Sequence, residues 1–155
     1  RVHGEVSVSV FFGQSNKAHD GFVGHSVMGR WSNLGAGTTT SNLKNSYGTV
    51  QMWTPGGTVE TGMQFLGALI GDHAKLAIGT LLMTGSVVGA GASVFGVGSP
   101  AKVVPPFSWG GGDDALFALE KFLEVAERVQ ARRSAPLTDG LRKVLAAAHQ
   151  RRWTT

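Results

Sequence analysis

Residues 70–94 read IGDHAKLAIGTLLMTGSVVGAGASV and repeat with a period of six. Ile70, Leu76, Leu82, Val88 and Val94 share one register, and all are aliphatic. Ala74, Thr80, Ser86 and Ala92 follow four residues after the first four of these, and all are small. A period of six fits neither the turn of an α-helix nor the alternation of a lone strand. It fits a triangular coil in which each side is one short strand and three sides close one rung. The aliphatic residue then points inward and stacks on its equivalent in the next rung, contributing roughly 1.5–3 kcal/mol on burial. The small residue sits inside near a corner, and a glycine after the aliphatic position, as in Val88-Gly89, suits the turn. The fold class expected is all-β: a parallel β-helix of hexapeptide repeats, whose ends need caps. A β-sandwich with glycine turns is the competing arrangement, and two registers kept together disfavour it.

The same step continues upstream through Val10, Asn16, Phe22, Met28 and Leu34, with Ser26, Ser32 and Thr38 as small partners. Asn16 interrupts the aliphatic row, and Gln14 and Asp20 interrupt the small one. The coil is expected within residues 1–110, broken at 40–64. There the polar run TTSNLKNSYGTV and the turn signal TPGGT mark an excursion, read as a small hairpin. Gly96, Gly98 and Pro100 end the coil, and VVPPF at 103–107 is an extended exit. Residues 111–155 form a helical appendage. Asp113 reads as the N-cap of a helix carrying Leu116, Leu119, Phe122, Leu123, Ala126 and Val129 at helical spacing. Thr138 caps a second helix with Leu141, Val144, Leu145 and Ala148 on one face. These helices are expected to cap the coil or clasp a neighbouring subunit.

Composition narrows the rest. There are 23 glycines and five prolines without a Gly-X-Y period, so the glycines mark tight turns between short strands. The absence of cysteine excludes disulfides, thiolate catalysis and a cysteine zinc site. No signal peptide is visible, and no apolar run approaches the ~18–20 residues of a membrane span. The net charge of +4 is concentrated late, in Arg128, Arg132, Arg133, Arg142, Lys143, Arg151 and Arg152. A basic tail can bind nucleic acid, but no aromatic platform or nucleic-acid motif accompanies it, so a solvated helical face is expected. The chain opens on Arg1 inside a patterned segment, as a cut through a longer protein would.

Among titratable residues His19, in NKAHDG, stands out. A histidine near neutral pKa can take a proton from an attacking amine or hydroxyl; the alternative is a surface histidine at a turn. His25 follows six residues later and therefore points along another edge, and His73 obeys the same turn logic. The glycine-rich LGAGTT at 34–39 lacks the lysine and following helix of a phosphate loop. It reads instead as a coil turn whose backbone can accept an extended ligand.

KAHDGFVGHSVMGRWSNLGAGTTTSNLKN, residues 17–45, resembles the acetyltransferase half of the bifunctional N-acetylglucosamine-1-phosphate uridylyltransferase/glucosamine-1-phosphate acetyltransferase. The chain is more similar still to the C-terminal halves of bacterial sugar nucleotidyltransferases that carry SNKAHDG, LGAGTTTSNLKN and QFLG-IGDH. The similarity runs over about residues 4–110. It implies a left-handed β-helix, a homotrimer, a cytoplasmic location and an upstream nucleotidyltransferase domain, to which alone Mg would belong. It implies His19 as general base, because the family's catalytic histidine precedes its IGAGT turn by the same interval. Asn33, Glu5 and Phe22 fall at acceptor-binding positions, Phe22 in place of a tyrosine. Ala36 and Thr80 fall at positions lining the channel of acetyl-CoA, the expected co-substrate. A phosphate-holding lysine of the family is Ser7 here; Lys17 or Lys44 is the expected substitute. Trimeric carbonic anhydrases share the coil but use histidines five residues apart; the spacing here is six, and no metal is expected.

Two functions follow as expectations. One is acyl transfer from acetyl-CoA to a sugar phosphate or nucleotide sugar, with backbone N–H groups holding the oxyanion. The other is a non-catalytic coil that trimerises or regulates an upstream sugar-1-phosphate nucleotidyltransferase.

Overall fold

The computed structural model describes residues 1–96, 98–111 and 115–153. The strands before the excursion are β1 (Glu5–Ser7), β2 (Val10–Phe11), β3 (Asn16–Lys17), β4 (Phe22–Gly24), β5 (Val27–Met28), β6 (Asn33–Leu34) and β7 (Thr39–Thr40). The excursion holds β8 (Gln51–Thr54) and β9 (Gly57–Glu60). The coil resumes with β10 (Ala68–Ile70), β11 (Lys75–Leu76), β12 (Leu81–Leu82), β13 (Ser86–Val88), β14 (Ser93–Val94) and β15 (Val103–Val104). Two helices close the chain, α1 (Leu119–Ala131) and α2 (Asp139–Gln150).

The coil strands stack in parallel on three faces. The first face runs β15-β13-β10-β5-β2, the second β14-β11-β6-β3, and the third is made of β12-β7 and β4-β1. The chain is therefore a parallel β-solenoid. Met28, Leu34, Ile70, Leu76, Leu82, Val88 and Val94 fill its interior, joined by Val23 and Val104.

The first rung departs from the expected frame. Phe11 pairs with Met28 and Lys17 with Leu34, while Val23 is fully buried. The inward row there is Phe11, Lys17 and Val23, one residue later than Val10, Asn16 and Phe22. Only five residues separate Val23 from Met28, because the turn at Gly24-His25-Ser26 is one residue tighter. The small row shifts with it: Ser15 and Gly21 replace Gln14 and Asp20. The hydroxyls of this row brace the turns. Ser15, Ser32, Thr80 and Ser108 each donate to the carbonyl three residues back, at 2.7–2.8 Å.

The glycines after the inward aliphatics serve spacing rather than turning. Gly35 and Gly71 have no positive φ, yet a Cβ on either would come within 2.5 Å of the backbone of the next rung. Positive φ falls elsewhere, on Gln14, Trp31, His73 and Phe107, which stack along the corner between the first and second faces. Each such residue costs roughly 1–2 kcal/mol. In return their side chains project outward as a ridge. Trp31 stacks on His73, and Phe122 of α1 packs edge-on against both His73 and Phe107.

This ridge seats α1. Helix α1 starts later than its spacing predicts, with Ala118 at the N-cap; Leu116 instead makes an antiparallel bridge to Ser108. Asp113 lies outside the described residues. Helix α2 begins with the Thr138 hydroxyl accepting from Leu141 N–H at 3.2 Å. Its inner face holds Leu141, Leu145 and buried His149, whereas Val144 and Ala148, expected there, face solvent. His149 is fixed by a 2.9 Å contact to the Phe117 carbonyl, so a polar residue takes the place the pattern gave to alanine. In the excursion, β8 and β9 form an antiparallel hairpin around Pro55-Gly56, and Trp53 on it packs in a tilted arrangement against Trp153, with ring centroids 4.1 Å apart.

Candidate functional site

The pairing of Lys17, Leu34 and Leu76 on consecutive rungs sets the outer corner between the second and third faces. Two residues further along each strand stand His19, Ala36 and Ile78. His19 is exposed, and its ring makes no hydrogen bond among the described residues. Its backbone is held from within. The buried Lys17 ammonium donates to the carbonyls of His19 and His3. Burial lowers the Lys17 pKa, and the nearby Asp20 carboxylate partly opposes that. Lys17, expected as a substrate ligand, thus points into the coil.

The other expected residues divide around this corner. Asn33 lies on the outer surface of the second face, where the Asn16 amide donates to its side-chain oxygen at 2.7 Å. Lys75 pairs with Asn33 on the following rung. Glu5 and Phe22 are direct partners on the third face, around the corner from Asn33. Thr80 points inward, its hydroxyl bonded to the Ala77 carbonyl at 2.7 Å, so Ile78 rather than Thr80 neighbours Ala36 outside. The Lys44 ammonium is bonded to the Thr49 carbonyl within the excursion.

Two adjoining cavities open on the second face. One, of about 630 Å³, brings together His19, His3, Asn16, Arg1, Arg132 and Arg133. The other, of about 270 Å³, is lined by Asn16, Asn33, Trp31, Lys75, Arg132 and Arg133, among others. Asn16 and the two arginines belong to both. Lys75 is partly buried, with its ammonium donating to the Trp31 and His73 carbonyls, and burial lowers its pKa to about 8. His73, desolvated between rings and next to Lys75, is lowered to about 4.

The arginines reach this place through simple geometry. Phe122 anchors α1 at His73 and Phe107. Ten residues of helix at 1.5 Å each span about 15 Å, which matches three rungs at ~4.8 Å. Arg132 and Arg133 therefore fall beside the first rung, next to Asn16. The chain then turns at Ser134, where φ is +53°, and the Gln130 carbonyl accepts from both Arg133 and Ala135.

His19 and Asn33 were visible from the sequence; Asn16, Lys75, Arg132 and Arg133 were not. Asn16 carried a signal as the polar break in the aliphatic row. His19, His25 and His73 occupy three different corners, and no cluster of three or more histidine, cysteine or acidic residues suited to a metal occurs among the described residues. Among those residues no helix is long and apolar enough to cross a membrane.

No protein-family model matches the chain. The chain is similar to a bifunctional sugar-1-phosphate nucleotidylyltransferase/acetyltransferase of Sulfurisphaera tokodaii (strain DSM 16993 / JCM 10545 / NBRC 100140 / 7). The two are 34% identical over 91 residues, which is 59% of this chain and 23% of that relative. The chain thus spans less than a quarter of that relative's length. What it presents in the described residues is a parallel β-solenoid followed by two helices.

Proposed function

We propose that this chain transfers an acetyl group from acetyl-CoA to the amine or hydroxyl of a sugar phosphate or nucleotide sugar, as the C-terminal part of a sugar nucleotidyltransferase-like protein. The observation that carries this is the placement of His19 on an exposed corner, opening onto a cavity it shares with Asn16, which in turn holds Asn33. The relative's acetyltransferase name supports the reaction class. In the reaction the acceptor nitrogen or oxygen attacks the thioester carbonyl. A C–N or C–O bond forms and the C–S bond breaks. His19 takes the acceptor's proton and returns it to the departing thiolate. Asn33, fixed by Asn16, orients the acceptor. A homotrimer would complete the groove, and the exposed Ile78 and Leu81 beside the corner suit contact with a second coil.

The test is His19→Ala. Thiol release from acetyl-CoA with amino-sugar phosphates should fall at least ~100-fold, with the circular dichroism spectrum unchanged. No turnover by the wild type, or equal turnover by the variant, defeats the proposal. A second reading, a non-catalytic trimerising coil, is favoured by two features: Ser7 stands at the phosphate-holding lysine's position, and the His19 ring has no orienting partner among the described residues. Calorimetric titration with acetyl-CoA separates the two, because the scaffold does not bind it.

A further inference from the structure

Arg132 and Arg133 are exposed residues at the end of α1 that both line the two cavities beside His19. Neither is in an ion pair among the described residues, although Arg128 pairs with Glu124 and Arg142 with Glu127. Among the described residues no acidic side chain lines either cavity. The remaining polar lining consists of Arg1, His3, His19, Ser32, Lys75 and amides. Two guanidinium groups facing an amide-lined cavity with no carboxylate to neutralise them are a complement for an anion. Arginine's planar fork suits phosphate oxygens in particular. The cavity beside His19, at about 630 Å³, has room for a phosphorylated sugar or for the phosphate-bearing part of a coenzyme. Their position is built rather than incidental: Phe122 locks the helix on the aromatic ridge, and the turn at Ser134 ends it above the first rung.

We propose that Arg132 and Arg133 form the phosphate-binding subsite of the His19 cavity, so that the C-terminal helix completes a site whose other residues come from the coil. This rests on the acyl-transfer reading and names what its substrate must carry. The phosphate belongs either to the acceptor or to acetyl-CoA, and the test distinguishes them.

In the full-length protein, Arg132→Gln/Arg133→Gln and the wild type are titrated calorimetrically with an amino-sugar 1-phosphate, the same amino sugar without phosphate, and acetyl-CoA. The wild type should prefer the phosphorylated sugar, or bind acetyl-CoA, with affinity that falls as salt rises. A loss of tenfold or more for the sugar phosphate alone assigns the subsite to the acceptor; the same loss for acetyl-CoA alone assigns it to the donor. Arg132→Lys/Arg133→Lys keeps the charge but not the fork, and should lose three- to tenfold even if the glutamine variant fails to fold. Binding of both ligands by the variants within twofold of the wild type overturns the proposal, as does a wild type that binds neither. Arg142→Gln, which removes an arginine paired with Glu127 outside both cavities, should bind phosphorylated ligand like the wild type. Phosphate-dependent binding without turnover in the wild type would sink acyl transfer while leaving the subsite standing.

Discussion

Lys75→Met should alter how stability depends on pH, in a direction the structure dictates. The Lys75 stem lies partly buried on the second face, and its ammonium is given two backbone carbonyls but no carboxylate. Burial holds its pKa near 8 instead of the usual 10.5. Below pH 8 the group is charged in both folded and unfolded chains, and the folded chain bears the desolvation cost. Between pH 8 and 10.5 the unfolded chain keeps a proton that the folded chain has released, so stability climbs as pH rises through that window. The size of the climb is about 3 kcal/mol. Methionine keeps a flexible apolar stem and removes the charge. The variant should therefore be the more stable form at pH 7, and its advantage should shrink by about 3 kcal/mol by pH 10.5. Urea unfolding of both proteins at pH 7, 8, 9 and 10, at constant ionic strength, measures the difference. Two stability curves that run parallel within ~0.5 kcal/mol across that range would refute the idea that Lys75 is held charged at a desolvation cost.

His73 gives the acid counterpart. Its pKa near 4 means that stability is lost as pH falls from 6.5 towards 4, and His73→Phe should flatten that limb in the same assay. Gly35→Ala should destabilise by roughly 1–3 kcal/mol, because the new Cβ meets the Ile78 nitrogen at 2.5 Å and the Ala77 carbonyl carbon at 2.6 Å. Gly140→Ala, where nothing lies within 4 Å, is the control and should leave the thermal midpoint equal or higher.

The coil was legible because it repeats, and a repeat survives local irregularity. The one-residue slip in the first rung was not, and the reason is chemical. Val10-Phe11 and Phe22-Val23 are apolar doublets that satisfy either frame, and Asn16-Lys17 is polar in both. The second member of each doublet faces inward because Phe11 pairs with Met28, Lys17 with Leu34 and Val23 with Val6, which are long-range facts. The small residues held the clue, since Ser15 and Gly21 restore the row that Gln14 and Asp20 break. The late start of α1 has a similar origin: Leu116 has the spacing of a helix but finds a strand partner in Ser108.

The candidate site was half legible for a different reason. His19 and Asn33 lie within one rung's length of each other, so a local pattern can find them. Arg132 and Arg133 come from the far end of the chain, and they meet the first rung only because helix rise and rung spacing happen to match. Reading the basic cluster as a solvated face holds for Arg128 and Arg142, which pair with acids of α1. Arg132 and Arg133 are exposed as well, but among the described residues they have no acidic partner and they border the cavity beside His19. The sequence does mark the difference: three and four residues before Arg132 stand Val129 and Arg128, before Arg133 Gln130 and Val129, and the same steps beyond reach Ala135, Pro136 and Leu137. With no acid at helical reach, these charges are left for a partner outside the helix, and the cavity beside His19 is where the fold turns them.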